Sequence, residues 1–319
     1  MKFTIVGAGA LGTILGGHLL AAGHGVTMIA RGARARHIAE HGLTVSGLRT
    51  LTTPCAVATP GTPIADAGVV IFTVKTYQMA DALAALGGLN PSAVFSVANG
   101  VMKNEQLETT YGGGVVLGCM ANVSGELLAS GAVAFTRNVR MPIGALAGYR
   151  GPDPAAIAAV IDAAGVVTLA VPDIESVEWS KFVGWLALFT LSVIARTTTG
   201  VFLEQPRLAA LGVRLIQEGA ALAAARGITL IDQSPIPVVS VTTAAPSAAV
   251  AIVRQIGRDL IMQAPTHRMS SLQDFDAGRL LEVHETLGYA VSQAARLGVS
   301  APTLASCYDI VAGLNELTR

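Results

Sequence analysis

Apolar residues follow two regimes along the chain. In the first half they form short runs, at residues 2–6, 26–30, 68–74, 93–98 and 114–120, each set off by glycine, proline or polar residues. Stretches of helical or loop character separate them. That alternation predicts parallel strands joined by crossover helices, an α/β arrangement. Residues 132–137 and 139–143 predict a pair of strands that extends the sheet, and 166–171 a last strand. Pro152, Asp153 and Pro154 predict a helix start, with Pro154 near the first helical position. Beyond residue 173 the β-prone runs disappear and long Ala- and Leu-rich stretches replace them. These predict helices at 176–194, 207–226, 244–263 and 278–297, and another from about 303. The expected organisation is an α/β domain over 1–172 and an all-α domain over 173–319.

The first thirty-one residues carry the strongest local signal. The run 2–6 passes directly into Gly7, Ala8, Gly9, Ala10, Leu11 and Gly12, a G-x-G-x-x-G pattern. A helical stretch follows to Gly23, and then the next apolar run. Strand, glycine turn and helix is the context a dinucleotide-binding loop requires. Gly7 permits the turn, Gly9 lets the backbone approach a pyrophosphate, and Gly12 lets helix and strand pack closely. The N–H groups near Ala10 and Leu11, at the positive end of the helix, would face the phosphates. The first domain is therefore read as a Rossmann-type doubly wound sheet. A site for NAD usually ends the second strand in Asp or Glu. Here Arg31 stands there, with Arg34 and Arg36 close behind and no acid before Glu40. A guanidinium suits a 2′-phosphate, which a carboxylate would repel. NADPH/NADP is the expected cofactor. Surface solubility is the competing role for Arg34 and Arg36.

Composition narrows the classes. The 319 residues are long enough for two cores. Formal net charge is zero and only 13% of residues are charged, so no nucleic-acid partner is expected. Mean hydropathy is high, +0.57, but Ala and Gly carry much of it. The longest strongly apolar run, 182–195, contains Thr190 and Ser192 and lies between Lys181 and Arg196. It is too short to span a bilayer, so no membrane role is expected. Lys2 and the apolar residues after it imitate a signal peptide, but the glycine turn explains them better. Cys55, Cys119 and Cys307 have no paired spacing and read as reduced thiols of a cytoplasmic protein. The six histidines form no metal-ligand pattern.

Three further strand ends lie where a nucleotide would bind in a doubly wound sheet. They carry Lys75, Asn99 with Gly100, and Ala121. Lys75 can balance phosphate charge or reach a ribose, and Asn99 offers donor and acceptor together. In the second domain Lys181 is a lone cation at the head of an apolar helix. Helical spacing puts Trp185, Phe189 and Ser192 on its face. Lys181 reads either as a surface lysine capping that helix or as a general acid for carbonyl reduction. Trp185 and Phe189 read either as ordinary core or as the surroundings of a substrate. Ser270 and Gln273 fit a capping box, whose hydroxyl suits either the helix or a substrate carboxylate. Glu282 could pair with Lys181.

These pieces together resemble the ketopantoate reductase (2-dehydropantoate 2-reductase) family over nearly the whole chain. The matching residues are Gly7 to Gly12, Ile29 to Gly32, Thr73 to Lys75 with Gln78, and Asn99 with Gly100. Glu178 to Lys181, Ser270 to Asp274 and Glu282 complete the set. The resemblance implies NADPH-dependent reduction of a 2-keto acid, a step toward pantothenate in that family. It implies Lys181 as general acid with Glu282 beside it, and Ser270 on the substrate carboxylate. It also implies Asn99 at the nicotinamide or substrate, and Arg31 and Lys75 on the cofactor. The departures concentrate in the pocket. Trp185 and Phe189 stand where the family usually has asparagines, Thr199 precedes Gly200 where another is common, and His267, Arg268 and Leu287 also differ. Loss of amide groups points from ketopantoate toward a bulkier or more apolar keto acid. A hydroxyacid-type dehydrogenase and a non-catalytic NADP(H)-binding sensor are the competing readings. Helical domains of this sort often form homodimers, although no exposed apolar stripe marks a dimer face.

Overall fold

A computed structural model describes residues 1–317. The chain divides into two compact units, Met1–Glu175 and Ser176–Arg319. The strands of the first unit are β1 (Lys2–Val6), β2 (Gly25–Ile29), β3 (Leu43–Gly47), β4 (Leu51–Thr53), β5 (Ala56–Ala58), β6 (Val69–Phe72), β7 (Ala93–Ser96), β8 (Leu117–Cys119), β9 (Asn122–Leu127), β10 (Val133–Ala145) and β11 (Thr168–Ala170). Five of them form a parallel sheet in the order β5-β2-β1-β6-β7. β6 and β7 are buried at every residue, as central strands covered on both faces must be. The chain leaves β1 toward β2 and returns on the other side to β6, so the topological switch lies between β1 and β6.

A second sheet is built on β10. It pairs in parallel with β3 and β11 and antiparallel with β8 and β9, while β4 pairs with β3. Two expectations change here. The strand pair at 132–137 and 139–143 is the single strand β10. Its polar centre is absorbed by register irregularities against β9, between Phe135 and Arg137 and between Asn138 and Arg140. The run 114–120 yields β8, which leaves the first sheet for β10 and touches β7 only through a parallel bridge, Val94 to Val116. The short strands β3, β4 and β5 carry too few apolar residues to stand out in the sequence.

The helix Ala10–Ala21 packs against β2 and also against β3, β4, β9 and β10. It lies between the two sheets and is buried on most of its surface. His18 on this helix is 0% exposed. Its Nδ1 lies 2.8 Å from the carbonyl of Ile14, and its ring meets Phe135 edge-on at 5.3 Å. Nδ1 therefore carries the proton, and Nε2 has no hydrogen-bond partner among the described residues. Burial lowers the His18 pKa. The Ile14 carbonyl opposes that shift and the Arg49 charge adds to it. A neutral folded-state imidazole contributes stability that is whole above about pH 6.5 and lost as pH falls through the folded value. Urea unfolding is thus expected to show a steeper loss of stability between pH 7 and pH 5 in the wild type than in His18→Leu. The difference should not exceed about 1.4 kcal/mol per pH unit, the slope of one proton. Equal slopes would clear His18 of the effect.

The second unit is helical. Its central helix, Ile174–Ala195, is 22 residues long and includes the apolar run at 182–195. Both it and Pro206–Ala225 are long and apolar enough to cross a membrane, yet 89% of the first helix's most apolar window is buried in the protein. Thr199–Glu204, Pro206–Ala225, Val238–Thr243, Pro246–Gln263, Ser270–Asp276, Tyr289–Leu297 and Pro302–Leu317 follow. The continuous helix expected at 278–297 is not formed. Gly278, at φ +64°, closes the preceding helix, and the N–H of Leu281 bonds the side chain of Asn315 at 2.9 Å. A π-helical turn, His284–Gly288, then leads into Tyr289–Leu297.

Candidate functional site

The glycine loop lies at the β1–β6 switch, the crevice where doubly wound sheets bind ligands. Gly7 donates its N–H to Ile29 at 3.0 Å, and the Thr73 hydroxyl donates to the Gly7 carbonyl at 2.6 Å. Gly7 has φ +102°, and a Cβ there would stand 2.8 Å from Val74 Cγ1. A Cβ at Gly12 would stand 2.0 Å from the Gly7 oxygen and 2.6 Å from Thr73 Oγ1. Gly7 and Gly12 are thus required by the fold itself. Gly9 is different. A Cβ there would meet nothing within 4 Å. Open space over the second glycine, beside the N–H groups that begin the helix Ala10–Ala21 at Ala10 and Leu11, fits a pyrophosphate.

The neighbouring strand ends supply side chains to the same edge, because these strands are parallel. Arg31 follows β2 and precedes the helix Gly32–His41. It is exposed, and its carbonyl accepts the Ala35 N–H at 3.3 Å. Lys75 follows β6, half-buried, and its N–H is held by Gln78 Oε1 at 3.3 Å. Asn99 and Gly100 follow β7, half-buried, and Gly100 has φ +78°. The buried Lys103 donates to the Gly100 carbonyl at 2.9 Å, a residue that sequence reasoning passed over. Ala121 follows β8, whose approach runs parallel to β7 through the Val94–Val116 bridge. Arg34, read as a loop cation, is instead turned inward: its guanidinium bonds Ala8, Thr13 and Gly131.

In the second unit, every residue from 176 to 193 is buried except Lys181, which is half-buried. One cation opens an otherwise sealed helix. On its face Trp185 stacks on Phe189, with centroids 4.6 Å apart. Trp185 keeps 7% of its surface exposed and Phe189 only 1%, so Trp185 is the outer member of the pair. One turn on, the Ser192 hydroxyl bonds the Ser271 hydroxyl at 2.9 Å. Ser271, missed in the sequence, is therefore the serine facing the central helix, while Ser270 is exposed. The expected capping box is absent. Ser270 is the first helical residue, its side chain makes no cap bond, and Gln273 donates to the Arg268 carbonyl at 3.1 Å. Thr199 and His267 are doubly tied, Thr199 N–H to the His267 carbonyl and hydroxyl to Nδ1, both at 2.9 Å.

Glu282 is buried, 7% exposed, two residues before the π-helical turn. The Thr286 hydroxyl bonds its carbonyl. Phe182, next to Lys181, meets Tyr289 edge-on at 6.5 Å. That contact joins the central helix, one residue past Lys181, to the first residue of the helix Tyr289–Leu297.

A parallel sheet with a glycine loop at its switch point, followed by a helical unit with a single half-buried lysine on its central helix, defines a two-unit α/β protein. The family model described as ketopantoate reductase PanE/ApbA matches residues 3–148, and its C-terminal counterpart matches 173–315. The chain belongs to the ketopantoate reductase family of oxidoreductases. A 2-dehydropantoate 2-reductase of Archaeoglobus fulgidus is 27% identical over 315 residues, covering 99% of this chain and 98% of that one. The PanE/ApbA family ketopantoate reductase of Ralstonia eutropha JMP134 shares the fold at TM-score 0.83 and 24% identity, over 100% of this chain and 99% of the other. D-mandelate dehydrogenase, in a ternary structure with NADH and anilino(oxo)acetate, shares it at TM-score 0.83 and 18% identity, with coverage of 100% and 99%.

Proposed function

We propose that this protein reduces a 2-keto acid with NADPH, and that its preferred acid is bulkier or more apolar than ketopantoate. The observation that carries the chemistry is the single half-buried cation, Lys181, on a helix otherwise buried from 176 to 193. Bound NADPH supplies the hydride. Lys181 holds a proton on Nζ and delivers it to the carbonyl oxygen, so that the carbonyl becomes a hydroxyl. The buried Glu282 carboxylate positions that ammonium. Ser270 receives the substrate carboxylate, and Asn99 orients the nicotinamide or the substrate. Gly7, Gly9, Ala10, Leu11 and Gly12 cradle the pyrophosphate, with Lys75 and Ala121 lining the same edge. Trp185 forms an apolar wall, and Phe189 supports it from behind. Where a polar pocket would reward the hydroxyl of ketopantoate, an indole edge rewards apolar surface.

D-mandelate dehydrogenase, which shares the fold, holds NADH, so the fold by itself does not select NADPH. Arg31 favours NADPH, because a guanidinium with no carboxylate partner stands where an acid would hold ribose hydroxyls. Arg31→Ala is expected to weaken NADPH binding by at least about tenfold, the loss of one strong charged hydrogen-bonded contact, and to leave NADH binding nearly unchanged. Titration calorimetry with both dinucleotides checks this, and equal losses would remove Arg31 from the 2′-phosphate.

The whole reading is tested by following NADPH consumption across 2-keto acids that run from ketopantoate to branched and aryl side chains. Turnover is expected, with kcat/KM higher for the larger apolar acids. Tight NADPH binding without turnover of any carbonyl would favour a sensor and overturn the proposal.

A further inference from the structure

We propose that Arg34 is a positioning residue for the dinucleotide, holding the glycine loop in its binding conformation from beneath. This rests on the reading of that loop as the cofactor site. One guanidinium makes three bonds: Nε to the Ala8 carbonyl at 2.8 Å, Nη2 to Thr13 Oγ1 at 2.8 Å, and Nη1 to the Gly131 carbonyl at 2.6 Å. Ala8 lies inside the glycine motif, between Gly7 and Gly9. Thr13 is the first residue after it, and its N–H bonds the Gly9 carbonyl at 3.0 Å. Gly131 belongs to the turn between β9 and β10, closed by Gly131 N–H to Leu128 at 2.9 Å. Arg34 therefore ties both flanks of the loop to the hairpin turn of the second sheet.

The consequence follows from peptide geometry. In a planar trans peptide the carbonyl and the next N–H point in opposite directions. Binding the Ala8 oxygen to Arg34 turns the Gly9 N–H away from Arg34. No backbone acceptor takes that N–H among the described residues, and the space over Gly9 is open. The same bond prevents the Ala8 oxygen from turning outward, where it would repel a phosphate. All three acceptors of Arg34 are neutral, and it has no acidic partner among the described residues. Its charge thus adds to the positive end of the helix Ala10–Ala21. A lysine has no planar fork and cannot satisfy three diverging acceptors.

Pyrophosphate is common to NADPH and NADH, which separates Arg34 from Arg31. The test is titration calorimetry of NADPH and NADH against the wild type, Arg34→Lys and Arg34→Gln, with thermal melts in parallel. Arg34→Gln is expected to weaken both dinucleotides by the same factor, about ten- to a hundredfold, which corresponds to about 1.4–2.7 kcal/mol. Arg34→Lys should lie between Gln and wild type. If Arg34→Gln does not fold, Arg34→Lys carries the same comparison. A folded variant that melts lower but binds both dinucleotides as the wild type does would make Arg34 purely structural and overturn the proposal. A loss confined to NADPH would overturn it too, by assigning Arg34 to the 2′-phosphate. Failure of the wild type to bind either dinucleotide would instead overturn the cofactor reading itself.

Discussion

Lys181→Ala is expected to lower kcat by at least about a hundredfold while leaving NADPH affinity within a few-fold of wild type. The first half follows from the proton inventory. Hydride addition to a carbonyl leaves an alkoxide, and without a positioned acid its charge must be met by water alone. The second half follows from where the residues lie. Lys181 belongs to the helical unit, whereas the glycine loop, Arg31 and Lys75 all belong to Met1–Glu175. Lys181→Arg provides the control for charge. It keeps a cation but cannot give up a proton in the working pH range, so turnover should stay low. A pH–rate profile adds a second readout: the alkaline limb of the wild type should vanish in Lys181→Ala. Turnover within tenfold of wild type, with the alkaline limb retained, would remove Lys181 from the mechanism.

The second large effect sets two glycines of one motif against each other. Gly12→Ala is expected to destabilise the first unit by about 3 kcal/mol or more, the upper range of overpacking. Its Cβ would lie 2.0 Å from the Gly7 oxygen, a backbone atom that no rotamer change can move. Gly9→Ala should leave stability within about 0.5 kcal/mol, as for a surface change. Its φ of −74° suits alanine and its Cβ would meet no protein atom. Yet that methyl would occupy the space over the loop, so NADPH and NADH should both weaken by at least about tenfold, or about 1.4 kcal/mol. Urea unfolding and dinucleotide titration on both variants read the two effects separately. Unchanged dinucleotide affinity in Gly9→Ala would place the phosphates elsewhere.

The sequence was legible wherever one residue type has one local job. Asp153 caps the helix Pro154–Ala163, with Pro154 in its first turn, as the proline spacing predicts. Gly23, at φ +82°, follows the end of the glycine-loop helix. The G-x-G-x-x-G run forms the expected corner because the strand before it, the turn and the helix after it are contiguous in the chain. Legibility failed where partners are distant. The polar residues inside β10 suggested a turn, but Asn138 is held by Gly165 and Val167 across the sheet. The stretch from Gly278 has helical composition, yet Asn315 takes the N–H of Leu281 and a π-helical turn follows. Nothing local to the chain pairs Ser271 with Ser192, seventy-nine residues away in sequence.

By itself the sequence determined the two regimes of secondary structure, the glycine loop, the arginine after β2 and the lone lysine on an apolar helix. Periodicity, turn chemistry and local charge are properties of neighbours along the chain, and they survive without the fold. Tertiary structure alone decided which of three arginines turns inward to Ala8, Thr13 and Gly131, and which of two serines faces the central helix. It also decided that Gly9 faces open space while Gly12 is walled in by backbone. Those choices depend on atoms brought together from far along the chain, between residues 34 and 131 or 192 and 271, and no local pattern encodes such distances.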